Sequence, residues 1–147
     1  MKRRMVIAIT LMLVSLIVML LFIGLFVAEK RRVQETYRIQ FNTNLADTVE
    51  AVDSYLDNEN DMDFRYRRII SDMASADCFA FLLENLTEEQ KIAVNELHSC
   101  FLKYPVQMKD KTRLAEVRQA LSDMGENLDK GFEEAKAIVD AIDRKGH

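Results

Sequence analysis

Chain breakers are scarce in this sequence: one proline and four glycines in 147 residues. No segment alternates Val, Ile or Thr with polar residues between turn signals, so nothing reads as a strand. Of the two histidines, His147 sits at the tail and His98 lies beside Cys100, which excludes a closed zinc site. Glycine-rich phosphate loops, metal-ligand spacings and nucleophile elbows are absent. A Cys100–His98 nucleophile pair has no supporting motif. The expectation is a protein that is not an enzyme, with no catalytic, cofactor-binding or metal-ligating residue and no cofactor.

What the sequence does have is one long apolar run. Val6 to Ala28 holds 23 residues without a charge, broken only by Thr10, Ser15 and Gly24. A helix crossing the hydrocarbon core needs ~20 residues, whereas a cleavable signal has an apolar region of only ~7–15. Cleavage after Ala28 would also place Phe26 where a small residue is preferred. Residues 6–28 therefore read as a transmembrane signal-anchor behind a short basic head, residues 1–5.

Charge divides at the same place. The first 32 residues carry six Lys/Arg and one Glu, and the remaining 115 carry a formal net charge of −9. An acidic domain is repelled by phosphate backbones, so nucleic acid is not an expected partner. The lipid bilayer is one, because the arginines next to the run can hold it at a headgroup layer. Lys2, Arg3 and Arg4 precede the run, and Lys30, Arg31, Arg32 and Arg38 follow it, so the positive-inside rule is nearly balanced. The short basic head favours an N-terminus inside the cell and an extracytoplasmic domain.

Beyond the run, apolar residues recur at alternating three and four. The seams are Phe41, Leu45, Val49, Val52, Leu56; Met62, Tyr66, Ile69, Met73, Ala76, Ala80, Leu83; Val94, Leu97, Phe101, Tyr104, Met108; and Leu114, Val117, Leu121, Met124, Leu128, Gly131, Ala135, Ile138, Ile142. A repeat of 3.5 residues belongs to coiled coils and four-helix bundles. Polar turns separate the seams at Asp57–Asp63, Asn85–Gln90 and Lys109–Thr112. In the second of these, Thr87 and Gln90 form a capping-box pattern.

The expected architecture is all-α: a transmembrane helix continuing into an up-down-up-down four-helix bundle over residues 29–143. Its helices would be 29–58, 62–85, 88–109 kinked at Pro105, and 112–143, followed by a tail, 144–147. The last helix would return towards the membrane. This pattern resembles the four-helix sensor domains of bacterial chemoreceptors. The resemblance implies a module that acts through a partner, since no signalling output accompanies it.

Four features stand outside the seams. The acidic turn Asp57, Glu59, Asp61, Asp63 lacks the glycine and glutamate of a calcium loop, having Met62 and Arg68 there, and reads as solvated. Cys78 and Cys100 differ by ~8 Å in height in a hairpin of this length, too far for a disulfide, so two thiols are expected. Gly131 falls where a large seam residue belongs and, inside a helix, costs ~1 kcal/mol. Cys78 to Leu83 is apolar all round its helix, which calls either for ordinary packing or for a contact surface. The candidate interaction residues are Cys78, Phe79, Phe81 and Leu82. Their partner would be a second copy in a parallel homodimer, another membrane protein or lipid headgroups. The long fourth seam adds to the case for a dimer. The reading is a membrane-anchored interaction, scaffolding or sensory accessory module. The alternative is a cytoplasm-facing, membrane-tethered coiled-coil scaffold of envelope assembly.

Overall fold

The computed structural model describes residues 2–58 and 60–142. Met1, Glu59 of the acidic turn, Asp143 at the end of the expected fourth helix, and the tail with His147 lie outside the described residues. Those described form six helices and no strand: α1 Lys2–Asp57, α2 Met62–Leu82, α3 Glu88–Lys103, α4 Pro105–Met108, α5 Lys111–Glu126 and α6 Phe132–Asp140. They divide into two compact units, one up to Glu35 and one from Thr36 onward.

In the first unit every side chain from Met5 to Ala28 is exposed, although most are aliphatic or aromatic. This helix is long and apolar enough to cross a membrane. Within this helix the Thr10 hydroxyl donates to the Val6 carbonyl at 3.0 Å, the kind of internal bond a hydrocarbon surrounding demands. Past the apolar run, Arg32 pairs with Glu29 at 2.7 Å.

The second unit has its own core. From α1 it takes Phe41, Leu45, Thr48, Val52 and Tyr55. The core face is thus turned slightly from the expected seam, with Val49 and Leu56 half-buried at its edge. Among the described residues Thr48 is the one buried polar residue in this core, and its hydroxyl donates to the Asn44 carbonyl at 2.7 Å. From α2 come Tyr66, Ile69, Met73, Ala76 and Ala80, and from α3 Ala93, Val94, Leu97, Cys100 and Phe101. α2 packs on α3, and α6 lies against both α3 and α5.

Caps follow local chemistry. Thr87 accepts the Gln90 amide at 3.2 Å, and the Gln90 side chain accepts the Thr87 amide at 2.8 Å, completing the capping box. The Gln90 amide group also donates to the Leu128 carbonyl at 3.0 Å, tying the start of α3 to the turn after α5. Asp110 caps α5 by accepting the Arg113 amide. Asp61 precedes α2 in a left-handed conformation, φ 55°, and makes no side-chain cap.

Three expected boundaries are corrected. The second helix ends at Leu82, short of Asn85. The third does not kink through Pro105: α3 stops at Lys103, and Pro105 opens the separate single turn α4. Proline disfavours helical geometry in the residue before it, and Tyr104 sits at φ −126°, ψ 51°. Proline fits the first position of a new helix because its missing N–H would be unbonded there anyway. It also leaves the Phe101 carbonyl without its donor four residues on. The buried Tyr66 hydroxyl supplies one, donating to that oxygen at 2.8 Å. The Tyr66 ring is tilted against both Tyr55 and Phe101, its centroid 6.0 Å from each.

The fourth helix, expected over 112–143, is two helices. Asn127 leaves the helix at φ −149°, ψ 112°, and its side chain accepts the Asp129 amide at 3.1 Å, an Asx turn. The chain then reverses at Gly131, φ 83°. A Cβ there would lie 2.3 Å from the Ala120 carbonyl oxygen. Gly131 therefore serves both the left-handed backbone and the approach of α6 to α5, where it had been expected inside a helix. Arg113 donates to the Ile138 carbonyl at 3.3 Å, so α6 ends beside the start of α5. Just before α5, Lys109 pairs with Asp63 at the start of α2. α6 thus ends at the α1–α2 turn, opposite the Thr36 end to which the last helix was expected to return. With the four-heptad helix gone, its share of the argument for a dimer goes too.

Candidate interaction surface

The four candidate residues lie in the last turns of α2 and face different ways. Phe79 is half-buried and its ring meets Tyr37 of α1 at 6.2 Å between centroids. Cys78, Phe81 and Leu82 are exposed, Phe81 to 73 % and Leu82 to 45 %. Between them Ala80 is buried, and Leu83 just beyond is buried too. The segment therefore packs on one side and presents an apolar face on the other. Cys78 and Cys100 are not bridged, one being exposed and the other buried.

The structure adds α3 residues that spacing along α2 cannot reveal. Ile92 is 55 % exposed, and the Lys91 ammonium sits 5.9 Å from the Phe81 ring centroid while pairing with Glu88 at 3.2 Å. These side chains, with Asp77 and Asn95, line a shallow groove of about 280 Å³. Asp77 closes its floor, accepting Asn95 Nδ2 at 2.9 Å and meeting His98 Nδ1 at 3.1 Å. This contact commits one nitrogen of His98 to clasping α2 against α3.

Arg65 and Arg68 of α2 are held by neighbouring groups. Arg65 bonds the Asn60 carbonyl at 2.9 Å and the Ser54 side chain. Arg68 bridges Glu50 of α1 at 3.2 Å and Asp72 at 3.5 Å. Burial pushes the Asp72 carboxyl above the usual carboxylate range; Arg68 opposes this, while Asp47 and Glu50 add to it. Asp72 Oδ2 is shielded from solvent, with Arg68 Nε as its neighbour at 3.5 Å.

Reading residues 112–143 as one helix also hid a groove between α5 and α6. It encloses about 400 Å³ over Ala120, Ala137, Ile138 and Ala141, with Glu116 and Glu134 on its rim. The signal for it was present as two of the four glycines, Gly125 and Gly131, spaced with Asn127 and Asp129. Such a cluster marks a turn. Among the described residues no group of three or more His, Cys, Asp or Glu is placed to hold a metal ion.

No protein-family model matches this chain, and no curated protein or solved structure matches it.

Proposed function

We propose that this protein is a single-pass membrane-anchored helical module that works by contact and not by catalysis. Its partners are the bilayer and another membrane-bound protein, and it serves as a scaffold or sensory accessory. In this reading the helices from Thr36 onward form an up-and-down bundle on the extracytoplasmic side, with residues 6–28 as the anchor. The observation that carries the proposal is the contrast in burial. The apolar run from Val6 to Ala28 is wholly exposed, while the residues after Thr36 bury a core of their own. Burying apolar surface is worth roughly 25 cal/mol per Å², so a bare run of this length requires a nonaqueous surrounding. The exposed Cys78, Phe81 and Leu82 then supply a place for contact at the end of α2.

Membrane fractionation and a C-terminal reporter test the reading together. The protein should remain in membranes through an alkaline carbonate wash with its N-terminus uncleaved, and the reporter should signal from the extracytoplasmic side. A soluble form beginning near Glu29 would overturn the anchor. A cytoplasmic reporter would favour the cytoplasm-facing scaffold, to which Lys30, Arg31, Arg32 and Arg38 lend their charge.

A further inference from the structure

α1 and α2 meet along one edge where charge is out of balance. Arg65 reaches the Ser54 side chain and Arg68 reaches Glu50 at 3.2 Å, which sets the antiparallel register of the pair. One further step, three residues back on α1 and four on along α2, brings Asp47 level with Asp72. Both are half-buried. Two carboxylates therefore meet across the seam, with Glu50 one turn along α1. The cation that bears on them is Arg68, which approaches both Glu50 and Asp72. We propose that these four residues form a proton-operated clasp: taking up a proton on mild acidification draws α1 and α2 together, and releasing it loosens them.

Asp72 is the group that takes the proton. Its Oδ2 is shielded from solvent, and Arg68 Nε stands 3.5 Å away, longer than the ~2.7–2.9 Å of a close charge-assisted bond. A carboxylate withdrawn from water and only loosely paired favours its neutral form. Glu50, by contrast, has a side chain 69 % exposed, so water screens most of its charge. The neighbours act in the same sense as the burial. Burial raises the Asp72 carboxyl most, Arg68 lowers it, and Asp47 and Glu50 raise it further.

The direction follows by linkage. A carboxyl raised in the folded state holds its proton above the ordinary value of 3.8, where the unfolded chain has already released it. The folded state then binds more protons, and its stability falls as pH rises through that window. Acidification restores it. Carboxylates held by good ion pairs do the opposite and lose their stabilising contribution in acid. The clasp acts on α1, the helix that also carries the proposed anchor.

Proton uptake can be read directly and by its effect, using the full-length protein in detergent. Carbon-13 NMR should show the Asp72 carboxyl titrating above 3.8, and Asp47→Asn should bring it down. Titration at or below 3.8, or a value indifferent to Asp47→Asn, would overturn the clasp. Asp72→Asn removes the charge and keeps the shape. At neutral pH it should unfold at higher denaturant than the parent, and the gap should close as pH falls towards 3.8. A parent that is the more stable at neutral pH and loses its lead in acid would make Asp72 and Arg68 an ordinary ion pair. Hydrogen exchange over residues 43–54, corrected for its intrinsic pH dependence, should slow in acid in the parent and not in Asp72→Asn. Equal behaviour of the two would show that the proton does not act on the α1–α2 contact. None of these measurements depends on the side of the membrane that the domain faces, so their failure leaves the proposed function to its own test.

Discussion

α2 and the stretch from α5 to α6 carry seams of the same spacing but fold differently. The seam from Met62 to Leu83 runs along one helix nearly to its end. The seam from Leu114 to Ile142 is cut at Asn127, folds back at Gly131 and continues on α6. Both bury their seam residues, Met62 and Leu128 only partly. Apolar periodicity therefore states which side of a segment faces the core. It does not state whether the segment continues in one direction. That is decided by a few residues with special backbone needs, and the two regions differ there: α2 contains no glycine, whereas the turn before α6 has one.

Burying a charge should have the largest effect, and it tests whether the divided seam is as much core as the continuous one. Leu121 is fully buried in α5. Leu121→Asp removes its apolar contacts and places a carboxylate among them, at a cost of ~4 kcal/mol or more. Denaturant melts of the full-length protein in detergent, followed by helical circular dichroism, should show the loss. Glu126→Ala, exposed in the same helix, should stay within about 0.5 kcal/mol of the parent. Equal tolerance of both would remove Leu121 from the core.

Gly131→Ala comes next and addresses the reversal directly. Alanine at φ 83° is strained, and its Cβ would press on the Ala120 carbonyl and the Met124 side chain. Left-handed strain and overpacking together should cost about 2–4 kcal/mol. Gly125→Ala is the control, because a Cβ there meets nothing within 4 Å, and replacing helical glycine should gain up to ~1 kcal/mol. If both glycines accept alanine alike, α5 and α6 form one continuous helix and the comparison with α2 collapses.

The sequence was legible wherever spacing alone carries the information. Leu45, Ile69, Leu97, Leu121 and Ile138 could be assigned to the inside because a helix repeats its faces regularly. Thr87 and Gln90 could be paired because a capping box is local. Helix ends were harder, because Pro105 suits either a kink or a first turn and Gly131 suits either a gap in packing or a left-handed turn. The candidate surface was half legible. Cys78, Phe81 and Leu82 were conspicuous as apolar residues in excess of one seam. Lys91 and Ile92 join Phe81 only through the packing of α3 on α2, which no local pattern encodes.

The smallest effect concerns the continuous region, at the place where it compensates for a break in its neighbour. α2 supplies the Tyr66 hydroxyl to the Phe101 carbonyl that Pro105 leaves without a donor. Tyr66→Phe keeps the ring but leaves that buried oxygen unsatisfied, which should cost about 1–3 kcal/mol. The bond also gives the protein an alkaline limit. Burial raises the Tyr66 phenol well above its ordinary value of 10.0. The folded protein then holds this proton while the unfolded chain releases it. Unfolding is therefore favoured as pH rises past 10.0, and the stability tied to Tyr66 is intact below that pH and lost above it. Melts of parent and Tyr66→Phe at rising pH separate the two contributions. The parent should be the more stable at neutral pH, and its advantage should shrink above pH 10.0. A gap that stays constant across that range would show that the Tyr66 hydroxyl is open to water and that α2 does not serve the end of α3.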